Sequence, residues 1–337
     1  MIVLTPDDPR IRIEGLAELV ESGDWWIPCR LPVSTRGLLV DEHLLSVARM
    51  AAGAQLAFTT DAVSFALDVD VSVPSTLDGP VAPFDVVIDG TLRTRETIEG
   101  RGVLRVDGLG GASKKIVIWL PHFGVTKVGR LTLEGATAVS SEGPGRPHLV
   151  TYGSSITQCR QSFGPSTAWP ALVAAARGWR LTNLGFAGQC HLDPVVARHI
   201  RETPADIVSL CLGINIWGAS SFPRRTLEPA IVGFISAVRE GHPTTPLLVT
   251  TPIASLERED RLNEAHLTLA EIRRIVGDVV VALQERGDNK LFLIAGPEIL
   301  SLAEQDLLVD GLHPGPQGYE LMADRLGERI VALTGIS

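Results

Sequence analysis

Leu149-Val150-Thr151-Tyr152-Gly153-Ser154-Ser155-Ile156-Thr157-Gln158 is the stretch on which the fold turns. Its apolar opening reads as a short buried strand, because a parallel strand covered on both faces carries apolar residues on both. Gly153 lets the chain turn sharply, two serines follow, and a helical pattern begins near Ser166. A strand that stops at a small-residue turn and feeds a helix leaves a side chain at the carboxyl end of a parallel sheet. Open α/β folds put their chemistry there. Taken alone, Gly-Ser-Ser is an ordinary capped turn. Downstream, Asp310-Gly311-Leu312-His313-Pro314 adds a carboxylate and an imidazole three residues apart, and that pairing changes the reading.

Working outward from Gly153, strands and helices alternate. A helix over 167–177 tolerates Pro170 in its first turn and stops at Gly178. Further strands are expected at 181–184, 207–212, 247–250 and 291–294. Asp193-Pro194 is an N-cap and first-turn pair for a short helix. Ile231, Phe234, Ile235 and Val238 share one helical face, and so do Ile272, Ile275, Val276, Val279, Val280 and Leu283. Five strands alternating with helices predict a parallel, three-layer α/β/α sheet of the flavodoxin-like kind. Each chemistry-bearing block then falls just after a strand or in the final loop, on one rim.

From about Pro147 onward the chain resembles the SGNH (GDSL-type) hydrolases, on four blocks in the right order. The first is Gly153-Ser154-Ser155, the second Asn183-Leu184-Gly185-Phe186-Ala187-Gly188, the third Gly213-Ile214-Asn215, and the last Asp310-x-x-His313. The resemblance implies Ser155 as nucleophile, His313 as base and Asp310 as its partner. It also implies an oxyanion hole made by Ser155, Gly188 and Asn215. Ser154 stands where the family has aspartate, and Ile216 where an aspartate often follows the asparagine. The chemistry is coherent. A serine hydroxyl needs a base to take its proton, the base needs a carboxylate to fix its tautomer, and the tetrahedral oxyanion needs aimed donors. His191 and Trp217 are candidate substrate-binding residues from their places after Gly188 and Asn215. The polar stretch 255–260 suits a flexible loop over the site.

The first half reads differently. Val63, Phe65, Leu67, Val69 and Val71 alternate with polar or small residues, Asp89-Gly90 signals a hairpin, and 116–120 is a strand halted by Pro121. This predicts an all-β sandwich of jelly-roll type over 1–143, similar to the one that precedes the catalytic domain in some two-domain SGNH esterases. Only 13–20 and 43–50 suit a helical turn or two. Trp25-Trp26 suits core packing, with a sugar-stacking platform as the alternative. The linker is Ser140-Ser141-Glu142-Gly143-Pro144-Gly145-Arg146-Pro147, and the catalytic domain spans 147–337.

With 45% hydrophobic and 20% charged residues, the 337-residue chain is a globular protein of one large or two ordinary domains. A net charge of −9 argues against nucleic acid and anionic membranes as partners. No apolar run is long enough to span a membrane. The first residues lack a signal-peptide pattern, so the expected location is the cytoplasm. No zinc motif is visible, and the chemistry calls for no metal and no cofactor. Cys159 and Cys190 follow the nucleophile and the oxyanion glycine. They read as reduced thiols lining one wall, with a clamping disulfide as the sharper alternative. The expected function is a two-domain serine esterase that cleaves a small-molecule carboxylic ester with a small acyl group, such as acetyl. An acyltransferase with the same triad and a non-catalytic carbohydrate-binding protein are the alternatives.

Overall fold

The computed structural model describes residues 1–38, 41–74, 77, 79–141, 143 and 145–337. The chain divides into two compact units. One is Met1–Arg146 with Gly164–Ser166, the other Pro147–Phe163 with Thr167–Ser337. The break falls between Arg146 and Pro147, and the tripeptide Gly164–Ser166, which follows the expected linker in sequence, belongs to the first unit. Glu142 and Pro144 of the expected linker lie outside the described residues.

The second unit is built on a parallel sheet of His148–Gly153, Arg180–Gly185, Ile207–Cys211, Leu247–Thr250 and Leu291–Ile294, in chain order. In space the order is second, first, third, fourth, fifth. The first strand is buried along its whole length, as a strand between two helical layers must be. The helices Trp169–Arg177 and Pro316–Thr334 pack together, as do Pro194–Glu202, Arg224–Gly241 and Leu269–Glu285 in a second group. The apolar faces read from the sequence are the buried ones: Ile231, Phe234, Ile235 and Val238 on one helix, Ile272, Ile275, Val276, Val279 and Val280 on the next. Thr268 and Glu271 close a capping box that starts the latter. Asp193 holds the N-cap position of its helix but makes no capping bond with its side chain, so Pro194 is what sets that start.

His199, on Pro194–Glu202, has its pKa pushed down to about 4 by burial, and its Nε2 has no hydrogen-bond partner. In the unfolded chain a histidine takes up its proton near pH 6.5. Between those values the unfolded state binds a proton that the folded state refuses, so stability falls as pH drops from about 6.5 towards 4. His199→Leu should flatten that fall by up to about 2 kcal/mol between pH 7 and 5. Urea unfolding at the two pH values measures it, and an unaltered pH dependence would count against the buried neutral histidine.

The first unit is a pair of six-stranded antiparallel sheets. Phe65, Leu67, Val69 and Val71 from one sheet and Phe58, Val86, Ile116 and Ile118 from the other share a single core, which makes it a sandwich. The alternation begins at Phe65. Val63, outside the strand Ser64–Ser72, is exposed. Asp89 and Gly90 both take positive φ (48° and 82°), as the hairpin signal requires. Residues 43–50 supply the helix Glu42–Ala48, capped by Asp41. The helical turn expected at 13–20 is not there, and the chain forms the strands Arg12–Glu14 and Glu18–Ser22 instead. Gly15 explains the difference. Its φ of 81° breaks a helix, and its backbone lies so close to Gly53 that a Cβ would sit 2.3 Å from the Gly53 carbonyl oxygen. Trp26 is core, while Trp25 is half-buried with the Arg101 guanidinium 5.8 Å from its ring. The buried Asp85 pairs with Arg95 (2.6 Å) and accepts hydrogen bonds from the Ser166 amide (3.0 Å) and hydroxyl (2.6 Å).

Candidate active site

Gly153 ends the first strand with ordinary φ. What it provides is close approach: a Cβ there would sit 2.2 Å from Thr157 Oγ1 and 3.2 Å from the Cys211 Cβ. The chain passes straight into a one-turn helix, Ser155–Gln158, well before the helical pattern expected near Ser166. Ser154 caps it, its hydroxyl accepting from the Ile156 amide at 3.2 Å, and Cys159 ends it in the left-handed region (φ 63°). Ser155 thus occupies the first helical position, where a backbone N–H has no intrahelical acceptor. Gly153→Ala should cost about 1–3 kcal/mol through overpacking. Gly188→Ala should cost only about 1 kcal/mol, since open space surrounds Gly188 and its positive φ (72°) is the sole penalty. Comparing the two thermal unfolding curves tests the contrast.

Three side chains form one line. Ser155 Oγ lies 2.7 Å from His313 Nε2, and His313 Nδ1 lies 2.7 Å from Asp310 Oδ2. The carboxylate can only accept, so Nδ1 carries the proton and Nε2 is left to accept from the serine hydroxyl. The other Asp310 oxygen takes the backbone amides of Leu312 (3.0 Å) and His313 (2.7 Å), which wraps the loop around the carboxylate. Partial burial pushes the Asp310 carboxyl up, but the hydrogen bonds from His313 and Leu312 outweigh it and hold the group below its usual range. Asp310 is therefore a carboxylate at any pH where imidazole chemistry operates.

The neighbouring loops are tied to this turn by buried polar side chains. Gln158 Oε1 accepts from the Ala187 amide (2.9 Å), next to Gly188. Asn183 donates to the Thr157 carbonyl (2.9 Å) and accepts from the Gly185 amide (2.8 Å). Asn215, on the short helix Ile214–Ala219, accepts from the Cys190 amide through Oδ1 (3.0 Å). That bond turns its Nδ2 to the other side. Among the described residues, the Ser155 amide, the Gly188 amide and Asn215 Nδ2 have no protein acceptor. Unpaired donors of this kind can take a developing oxyanion where they face one.

His191 sits against the same loop. Its Nε2 donates to the Gly188 carbonyl (2.9 Å), so its Nδ1 accepts from the Ser221 hydroxyl (3.0 Å). It also lines a mostly apolar cleft of about 600 Å³ with Leu192, Pro194, Phe222 and Phe234. Trp217 is engaged by the loop after the fourth strand: its Nε1 donates to the Arg261 carbonyl (3.2 Å), and its carbonyl accepts from Asn263 Nδ2 (3.1 Å). That loop is pinned and not free. Glu259 and Arg273 pair at 2.8 Å, and Arg273 also donates to the Pro252 and Ile253 carbonyls.

None of the four cysteines is in a disulfide. Cys159 Sγ donates to the Ile156 and Thr157 carbonyls and Cys190 Sγ to the Cys211 carbonyl, so the clamping disulfide is not formed. Burial pushes both thiols up, which keeps them protonated. Among the described residues, no group of three His, Cys, Asp or Glu could hold a metal ion. No helix among them is long and apolar enough to cross a membrane.

Residues 146–331 match the GDSL-like lipase/acylhydrolase family. The chain belongs to that family. Residues 12–127 match the N-terminal domain of SsfX3. The fold is similar to that of the salicylyl-acyltransferase SsfX3 from a tetracycline biosynthetic pathway, with TM-score 0.91 and 27% identity, covering 98% of this chain and 97% of that one. A Bacteroides ovatus ATCC 8483 protein classed as a GDSL-like lipase follows, with TM-score 0.83, 20% identity and coverage of 100% and 98%. A family two carbohydrate esterase from Clostridium thermocellum has TM-score 0.66, 17% identity and coverage of 86% and 94%. No curated protein matches the sequence.

Against the family pattern, the two departures are absorbed locally. Ser154 caps the one-turn helix Ser155–Gln158, and Ile216 is buried core. Sequence reasoning missed the loop-tying contacts of Gln158 and Asn183. Asn183 carried a usable signal, a polar side chain at the centre of an apolar strand.

Proposed function

We propose that the protein is a serine esterase that forms an acyl-enzyme on Ser155. The observation that carries this reading is the Ser155–His313–Asp310 line, with both hydrogen bonds at 2.7 Å. As Ser155 Oγ attacks the ester carbonyl, its proton passes to His313 Nε2, and Asp310 stabilises the imidazolium. The oxyanion is taken by the Ser155 and Gly188 amides and Asn215 Nδ2. His313 then gives its proton to the departing alcohol, and water repeats the sequence to release the acid. The substrate is a small-molecule carboxylic ester with a small acyl group, such as acetyl on a sugar or natural product. Likeness in fold to a carbohydrate esterase supports that class by analogy.

A second reading is acyl transfer, in which a small-molecule alcohol replaces water at deacylation. Full-length similarity to a salicylyl-acyltransferase at 27% identity favours it. Intact-mass analysis with a panel of acyl donors, with and without acceptor alcohols, tests both. The expected result is an acyl adduct on Ser155 that water discharges. Discharge accelerated by an acceptor, with an acylated product, selects transfer, and no adduct with any donor would overturn the acyl-enzyme.

A further inference from the structure

The Gly311–Leu312 peptide lies between Asp310 and His313, and it is held at both ends. Its N–H donates to Asp310 Oδ1 (3.0 Å). Its carbonyl accepts from the Ser255 hydroxyl (2.7 Å) and from Arg258 Nη1 (3.1 Å). Arg258 Nη1 also donates to Ser255 Oγ (3.0 Å), so its two hydrogens serve both acceptors and the serine proton is left for the carbonyl. Gly311 takes φ 72°, and with no Cβ it can leave that conformation at little steric cost, so the peptide rotates unless something stops it. Rotation here would carry the imidazole away from Ser155.

The same guanidinium lies 5.6 Å from the Trp217 ring, two residues beyond Asn215 on the short helix Ile214–Ala219. Among the described residues Arg258 makes no ion pair, and its polar contacts go to Ser255 and the base loop. It is not what holds its own loop in place, for Glu259 and Arg273 do that. Ser255 is fully buried, so its hydroxyl has no water to turn to.

We propose that Arg258 is a positioning residue for the acyl-transfer site: with buried Ser255 it locks the Gly311–Leu312 peptide that aims His313, and by its cation–π contact with Trp217 it ties the base loop to the helix bearing the Asn215 donor. The inference rests on the acyl-enzyme reading. Its size follows from geometry, because a base displaced by about 1 Å from its nucleophile can lose about a hundredfold in rate.

The test compares the wild type with Arg258→Ala, Arg258→Lys and Ser255→Ala. The readouts are turnover of a short-chain aryl ester, the rate at which a fluorophosphonate modifies Ser155 by intact mass, and thermal unfolding. Arg258→Ala should lower kcat by about 10- to 100-fold with KM within about twofold, and fluorophosphonate modification should slow in proportion. Its unfolding temperature should stay close to the wild type, since the Glu259–Arg273 pair remains. Millimolar guanidinium should restore part of kcat to the alanine variant where ammonium does not, because only the planar fork stacks on an indole while donating. Arg258→Lys and Ser255→Ala should fall between wild type and Arg258→Ala. A wild type that reacts beside an equally reactive Arg258→Ala overturns the inference and leaves the acyl-enzyme standing, as does a rise in KM alone. A wild type whose Ser155 is modified by neither ester nor fluorophosphonate overturns the acyl-enzyme reading, and the inference with it.

Discussion

Ser155→Ala and His313→Ala should each lower turnover of a short-chain aryl ester by at least about 10⁴-fold, while Ser154→Ala retains most of it. The two serines are adjacent, yet their surroundings separate their roles. Ser155 Oγ lies 2.7 Å from His313 Nε2, an acceptor able to take its proton. Ser154 is 2% exposed and its Oγ accepts from the Ile156 amide, so it is spent on capping the turn. Losing that cap costs stability, about 0.5–2 kcal/mol, and leaves the reacting groups in place. Members of a catalytic triad act as a unit, so on the proposed mechanism the double variant Ser155→Ala/His313→Ala should be no worse than either single one. Initial rates on the three single variants and the double variant decide the matter. An inactive Ser154→Ala beside an active Ser155→Ala would mean that the nucleophile is the other serine.

What the sequence makes legible here is what short-range patterns encode. The second unit shows its strands because each is a short, mainly apolar and mostly buried run, and its helices because Ile231, Phe234, Ile235 and Val238 recur at the helical period. The spacing of Asp310 and His313 is local, so their pairing could be read before any fold was known. The short helix at Ser155 could not, since four residues carry no periodicity and Ser154 resembles any turn serine. The strands around Gly15 were hidden for a related reason: the glycine is demanded by Gly53, a residue 38 positions on. The same holds for the loop after the fourth strand. Its charges suggest a solvated, mobile segment, but Glu259 finds Arg273 and Ser255 finds Gly311 only once the sheet has brought them together.

The second large effect is expected at Asn215. Asn215→Ala should lower kcat about a hundredfold, equivalent to about 3 kcal/mol of barrier, with KM and global stability little changed. The alanine variant alone is ambiguous, because Asn215 does two things. Its Oδ1 holds the Cys190 amide, two residues past Gly188, and its Nδ2 is the unpaired donor. Truncation removes both, so a loose Gly188 loop and a missing donor would look alike. Asn215→Asp separates them. The carboxylate still accepts from Cys190 and is nearly isosteric, but it offers no N–H and sets a negative charge facing the oxyanion. If donation is what matters, Asn215→Asp should be as poor as Asn215→Ala or poorer, despite an intact loop. If Asp recovers most of the activity lost in Ala, Asn215 serves as a scaffold for Cys190 and the oxyanion is carried by the two backbone amides. Single-turnover acylation rates on both variants distinguish these outcomes without interference from deacylation.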